Sequence, residues 1–149
     1  AVADKIAKSC LLLPDAVDDP QEVLKLVARA VAPDPADDLG PYFQTLHALA
    51  DYRVQDYANA IRTLENNIPN ITNQTYLLEL NLVVLALACQ GVGQTEKASQ
   101  YLDQASEMID AALDGDDVPD WHNLLISHIF RLEAEALLED ASTVATSSG

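Results

Sequence analysis

The strongest constraint on the fold of this chain is that it resembles itself. The segments PQEVLKLVARAVAPDP (20–35), DYANAIRTLENNIPN (56–70) and QTEKASQYLDQASEMID (94–110) align when Val23, Ala60 and Ala98 are superposed. Val27, Leu64 and Leu102 then coincide, as do Ala30, Asn67 and Ala105, with the anchors 37 and 38 residues apart. Positions i, i+4 and i+7 share one face of a helix. Small residues there let a partner helix approach closely, and the large residue between them fills the remaining space.

Each unit has a helical partner before it. PYFQTLHALADYR (41–53) and YLLELNLVVLALACQ (76–90) both carry helical patterns followed by short turns. In the third repeat Leu82, Leu85, Ala86 and Cys89 form the packing face. In the second, Phe43, Leu46, His47 and Ala50 take those parts, with one extra residue before Asp56 and a core histidine at 47. Pro14 cuts short the opening helix of the first repeat. The pattern predicts seven helices, at about 2–13, 20–32, 41–54, 56–68, 74–91, 94–113 and 119–139. Asp19 with Pro20 and Glu22 reads as a helix start, and Asp56 and Asn73 as caps. Pro33, Pro35 and Pro69 read as stops.

These hairpins resemble the tetratricopeptide repeat, whose period is about 34 residues. The order CLLLPDAVDDPQEVLKLVARAVAPDP, TLHALADYRVQDYANAIRTLE, LNLVVLALACQGVGQTEKASQYLDQA and WHNLLISHIFRLEAEALL also resembles a helical region of large planctomycete serine/threonine kinase or WD-repeat proteins. The resemblance implies an all-α, right-handed α-α superhelix of about three hairpins (1–35, 41–70, 74–113) within a domain spanning 1–140. A capping helix at 119–139 would close the stack, and a polar, disordered tail would follow at 141–149. It implies an interaction region of a larger signalling protein, with any kinase domain outside these residues, since no HRD or DFG is present. In that arrangement the first helix of each pair lines the concave face, which would place Gln44, Ala48, Asp51, Tyr52, Val83, Leu87 and Gln90 toward a partner. The lysine, arginine and asparagine clamp that grips a terminal carboxylate in some members has no counterpart at those positions.

Charge narrows the partner. Twenty-four acids against eight bases give a net charge of −16, a field that repels phosphate backbones and anionic lipid. A protein or peptide with a basic segment is the expected partner, with no nucleic acid and no membrane. The longest apolar run, Leu82 to Cys89, is far shorter than the roughly 18 residues of a membrane span. No signal peptide is visible, so a cytoplasmic location is expected. Cys10 and Cys89 lie far apart in apolar contexts, as free buried thiols do.

Candidate chemical sites dissolve on inspection. GVGQTEK (91–97) lacks the preceding strand and third glycine of a dinucleotide loop and the Lys-Ser/Thr of a P-loop; a helix C-cap at Gly91 and a turn at Gly93 account for it. LDGDDVPDW lacks the glutamate that closes an EF-hand. His122 and His128 lie about 240° apart on a helix and cannot share a metal. Asn70 and Asn73 open two N-x-T sequons in what reads as a polar loop. No serine or cysteine has a base beside it, so no catalytic, metal or cofactor site is expected. Two readings remain: a non-catalytic interaction module working through its concave face, or a self-associating scaffold. A small enzyme is a distant third. The helix at 76–90 is apolar almost all round, so something must cover its concave side: the last helix, a bound peptide or another copy. The last helix, rich in Leu124, Leu125, Ile129, Phe130 and Leu132, is the most economical cover.

Overall fold

In the computed structural model, the described residues are 8–19, 22, 23, 25, 26, 40–115 and 121–148. All regular structure among them is helical. Five long helices follow in order: α1 (Gly40–Arg53), α2 (Tyr57–Asn67), α3 (Thr75–Gly91), α4 (Thr95–Leu113) and α5 (Trp121–Ser147). A 3-10 turn, Ile68–Asn70, extends α2 and contains Pro69. Most of the first expected hairpin lies outside the described residues; of it, 8–11, 22, 23, 25 and 26 are helical.

The repeat faces are where the i, i+4, i+7 pattern puts them. Helix α2 buries Ala60, Leu64 and Asn67, and α4 buries Ala98, Leu102, Ala105 and Ile109. Central α3 packs against the four other helices. Its side chains from Glu79 to Cys89 are therefore buried without a break.

Both hairpins turn through the same hydrogen-bonded device. After α3, Gly93 N–H donates to Gln90 O at 3.0 Å and Gln94 N–H to Cys89 O at 2.9 Å, with Gly93 at φ +76°. After α1, Gln55 N–H donates to Tyr52 O at 3.0 Å and Asp56 N–H to Asp51 O at 2.9 Å, with Gln55 at φ +64°. Each is a Schellman motif, which satisfies the last carbonyls of the helix and reverses the chain. Gly91 has a separate role: a Cβ there would lie 2.8 Å from three atoms of the Tyr57 ring.

The matching turns correct the register expected for α1. Gln55 superposes on Gly93 with the same offset that puts Ala60 on Ala98, so no extra residue precedes Asp56. Ala48, fully buried, is then the counterpart of Ala86, and His47 is not. The His47 side chain is 44% exposed, with Nδ1 3.1 Å from Asp51 Oδ2. A small residue is still found where the helices meet; it is one place further along.

Two other boundaries differ from expectation. Asp56 caps α2, accepting from Asn59 N–H. Asn73 does not cap α3; it sits at φ +58° just before it, a backbone state that asparagine tolerates better than most residues. Helix α5 runs to Ser147, past the expected end at 139, so residues 141–147 are helical. There Ser142, Thr143 and Thr146 donate to the carbonyls of Leu138, Glu139 and Ser142, meeting their hydroxyl needs along the helix itself.

A polar knot joins the first three helices. Asn67 Nδ2 donates to Pro41 O at 2.8 Å and reaches Thr45 Oγ1 and Asn81 Oδ1, both at 3.2 Å. Asn81 Nδ2 donates to Thr45 Oγ1 at 2.6 Å and to Leu77 O at 2.8 Å. Thr45, Asn67 and Asn81 are all buried. A satisfied network of this kind specifies how helices meet, because sliding one of them orphans several polar groups together.

Candidate functional site

A segment of the chain itself fills the groove between α1 and α5. Residues 8–17 pack between α1 and α5: Leu11 is buried, and Cys10, Leu12 and Val17 lie against the core. Lys8 donates to Asn123 Oδ1 on α5 and lies over the Tyr42 ring of α1. Past residue 11 the backbone leaves the helix, and Asp15 takes φ +57°.

Arg53, the last residue of α1, organises this junction. Its Nη1 and Nη2 hold the two carboxylate oxygens of Glu133 on α5 at 2.6 and 2.8 Å. Its Nε donates to Leu11 O at 2.9 Å, and Nη2 also reaches Leu12 O at 3.1 Å. The guanidinium carbon stands 5.1 Å from the ring centres of both Tyr52 and Phe130. Tyr52 Oη donates to Glu133 Oε1 at 2.8 Å. Burial, followed by the Glu133 charge, pushes the Tyr52 phenol far above its usual range, so it stays a donor. One planar cation thus joins two helices and caps the carbonyl end of a third helical segment, the end at which helix carbonyls lack partners.

The seven residues expected on the concave face do not form one surface. Ala48, Val83 and Leu87 are buried in the core, and Gln44 is exposed. Tyr52 faces the groove. Asp51 instead turns inside its own hairpin, where Asn59 Nδ2 donates to Oδ2 at 2.6 Å. Burial raises the Asp51 carboxyl above its ordinary value, with His47 and Asn59 opposing. Gln90 is half-buried, its Oε1 without a hydrogen-bond partner.

Arg53, Glu133 and the 8–17 segment were not singled out by sequence reasoning. The signal for Glu133 was slight, an acid among the apolar residues of the last helix. A second acid within an apolar helix, Glu79, is buried more fully than Glu133, and desolvation raises its carboxyl.

Around the filled groove two hollows remain. One of about 360 Å³ is bounded by Leu13, Pro14, Asp15, Tyr57 and Leu137, with Arg53 and Glu133 in its wall. Another of about 540 Å³ lies between Lys8, Leu12 and Tyr42 on one side and His122, Leu125 and Ile129 on the other. Cys10 also lines the first, and Ser9 the second. Among the described residues no cluster of three or more histidines, cysteines or acids is placed to hold a metal ion. Cys10 and Cys89 are free thiols, and burial raises the Cys89 thiol further. No helix among the described residues is long and apolar enough to cross a membrane. The acidic loop at 116–120 lies outside the described residues.

Set against protein-family models, curated proteins and solved structures, the chain matches none of them.

Proposed function

We propose that this chain is a non-catalytic, tetratricopeptide-like interaction module of a larger signalling protein. It holds a helical segment of a partner protein in the groove between α1 and α5. The supporting observation is that the groove already carries a segment, residues 8–17, helical as far as residue 11 and gripped through main-chain carbonyls by Arg53. Carbonyls at a helix end are common to all sequences, so this grip suits any partner whose apolar side chain can replace Leu11. Preference would come from charge: at −16 the module attracts a basic segment and speeds its encounter. A partner reading this groove must first displace residues 8–17, which lowers its apparent affinity by the fraction of molecules in the open state.

The test is capture of the segment in trans. A labelled peptide of residues 8–19 is titrated onto the full chain, native and with Leu11→Asp or the milder Leu11→Ala. The native chain should bind weakly, and the opened variants at least about tenfold more tightly. Adding Arg53→Met should remove that gain. An opened variant that unfolds cooperatively by circular dichroism yet ignores the peptide would show that the segment is only part of the core.

A further inference from the structure

Helix α5 buries Leu124, Ser127, Phe130 and Ala134 against the other helices. Its opposite side carries large exposed apolar residues over the first half of the helix. Trp121 is 67% exposed, Leu125 47% and Leu132 51%, so the last helix presents a new apolar face where a cap would be polar. Leu125 and Leu132, expected to help cover α3, face away from it. Trp121, Leu125, His128, Leu132, Glu135 and Glu139 follow one another at spacings of 4, 3, 4, 3 and 4 residues. That is the seam of a helix that pairs with another helix.

The seam changes character along its length, apolar through Leu132 and acidic from Glu135 onward. Arg131 offsets part of the acid, lying 3.6 Å from Glu135 and 2.5 Å from Asp110. Glu139 and neighbouring Asp140 pair with no cation among the described residues. We infer that the outward seam of α5 docks an amphipathic helix of a partner protein that is apolar opposite Trp121–Leu132 and lysine- or arginine-bearing opposite Glu135–Asp140.

Charge decides against a second copy of this chain as the occupant. A parallel pair would set Glu135 and Glu139 against themselves, and an antiparallel pair would bury them against Trp121 and Leu125. Either way carboxylates lose water without gaining a cation, on top of the repulsion between two chains of −16 each. A basic helix removes both penalties. Leu125 borders the second hollow beside the α1–α5 groove; Trp121, Leu132, Glu135 and Glu139 line neither hollow, and the proposal does not depend on how that groove is used.

Trp121 is the sole tryptophan and reports directly on the seam. The probe is a synthetic 18-residue helix with leucine at the seam positions of one half and lysine at those of the other. Its control is a peptide of identical composition whose leucines and lysines are scrambled. Docking should shift Trp121 emission to the blue. Leu125→Ser with Leu132→Ser should weaken binding about tenfold or more, as expected when a buried apolar contact is lost. Glu139→Gln with Asp140→Asn should weaken it a few-fold and flatten its salt dependence. Arg53→Met should leave it unchanged, which separates this surface from the groove. Equal binding of the scrambled peptide, no emission shift, or a concentration-dependent dimer in sedimentation that itself shifts Trp121 each overturns the inference.

Discussion

Arg53 and Glu133, eighty residues apart in the chain, meet as a two-pronged ion pair at 2.6 and 2.8 Å with little water around either. Removing one partner strands the other charge where solvent cannot screen it. Glu133→Gln should therefore cost about 2–3 kcal/mol in urea unfolding, toward the lower end of what breaking a buried pair costs, because Glu133 keeps some exposure. A loss below about 0.5 kcal/mol would class the pair with ordinary surface bridges.

The two turns predict substitutions of opposite sign. Gly93→Ala forces a Cβ onto a left-handed backbone and should destabilise by about 1 kcal/mol, whereas Gln55→Gly relieves the same strain and should stabilise by a similar amount. Gly91→Ala acts through packing, since its Cβ would press on the Tyr57 ring, and should cost about 1–3 kcal/mol. Thermal melts of the three variants check all three signs; a destabilising Gln55→Gly is the result that contradicts this reading of the turn.

Glu79 makes stability depend on pH in a definite direction. Burial raises its folded-state pKa above the ordinary 4.5, so the folded protein holds the proton more tightly than the unfolded chain. Its contribution is then fully favourable below pH 4.5 and is lost as pH rises through the folded value. Glu79→Gln should raise Tm at pH 7 by about 3 °C for each kcal/mol of relieved penalty. The gap between variant and native should close as pH falls below that of an ordinary glutamate. A gap that is constant with pH would mean the gain has nothing to do with ionisation.

The Thr45–Asn67–Asn81 knot should behave as one unit. Asn81→Ala takes one partner each from Thr45 and Asn67, which keep Pro41 O and each other, and should cost about 1–2 kcal/mol. Combined with Asn67→Ala, the total should fall short of the sum by about 1 kcal/mol or more. Strict additivity in chemical denaturation would show that the contacts are independent.

The parts of the fold legible in the sequence were those with a local cause. Ala60, Leu64, Ala98 and Leu102 declare their helix faces because burial recurs at helical spacing within a few residues, and Gly93 declares its turn because only glycine takes that backbone state without strain. Gln55 occupies the same state without the glycine that would announce it, which is why α1 is expected one residue out of phase and His47 is expected where Ala48 lies. The groove was less legible still. Arg53 holds Leu11 and Leu12 by their carbonyls, 42 and 41 residues away, and a carbonyl has no letter in a sequence. Helix α3 raised the need for a cover, and the last helix, expected for that part, packs against it.

The matched turns at Gln55 and Gly93 have a consequence for how the chain could change in length. Each fixes the phase of the helices on either side by hydrogen bonds confined to its own six residues, so neither needs information from the rest of the molecule. An insertion or deletion of one whole step, from one turn to the next, returns every face to the side it occupied before. Any other length rotates the helices beyond it and exposes what was inside. Growth of such a chain is therefore counted in whole steps, and its divisions lie at the turns.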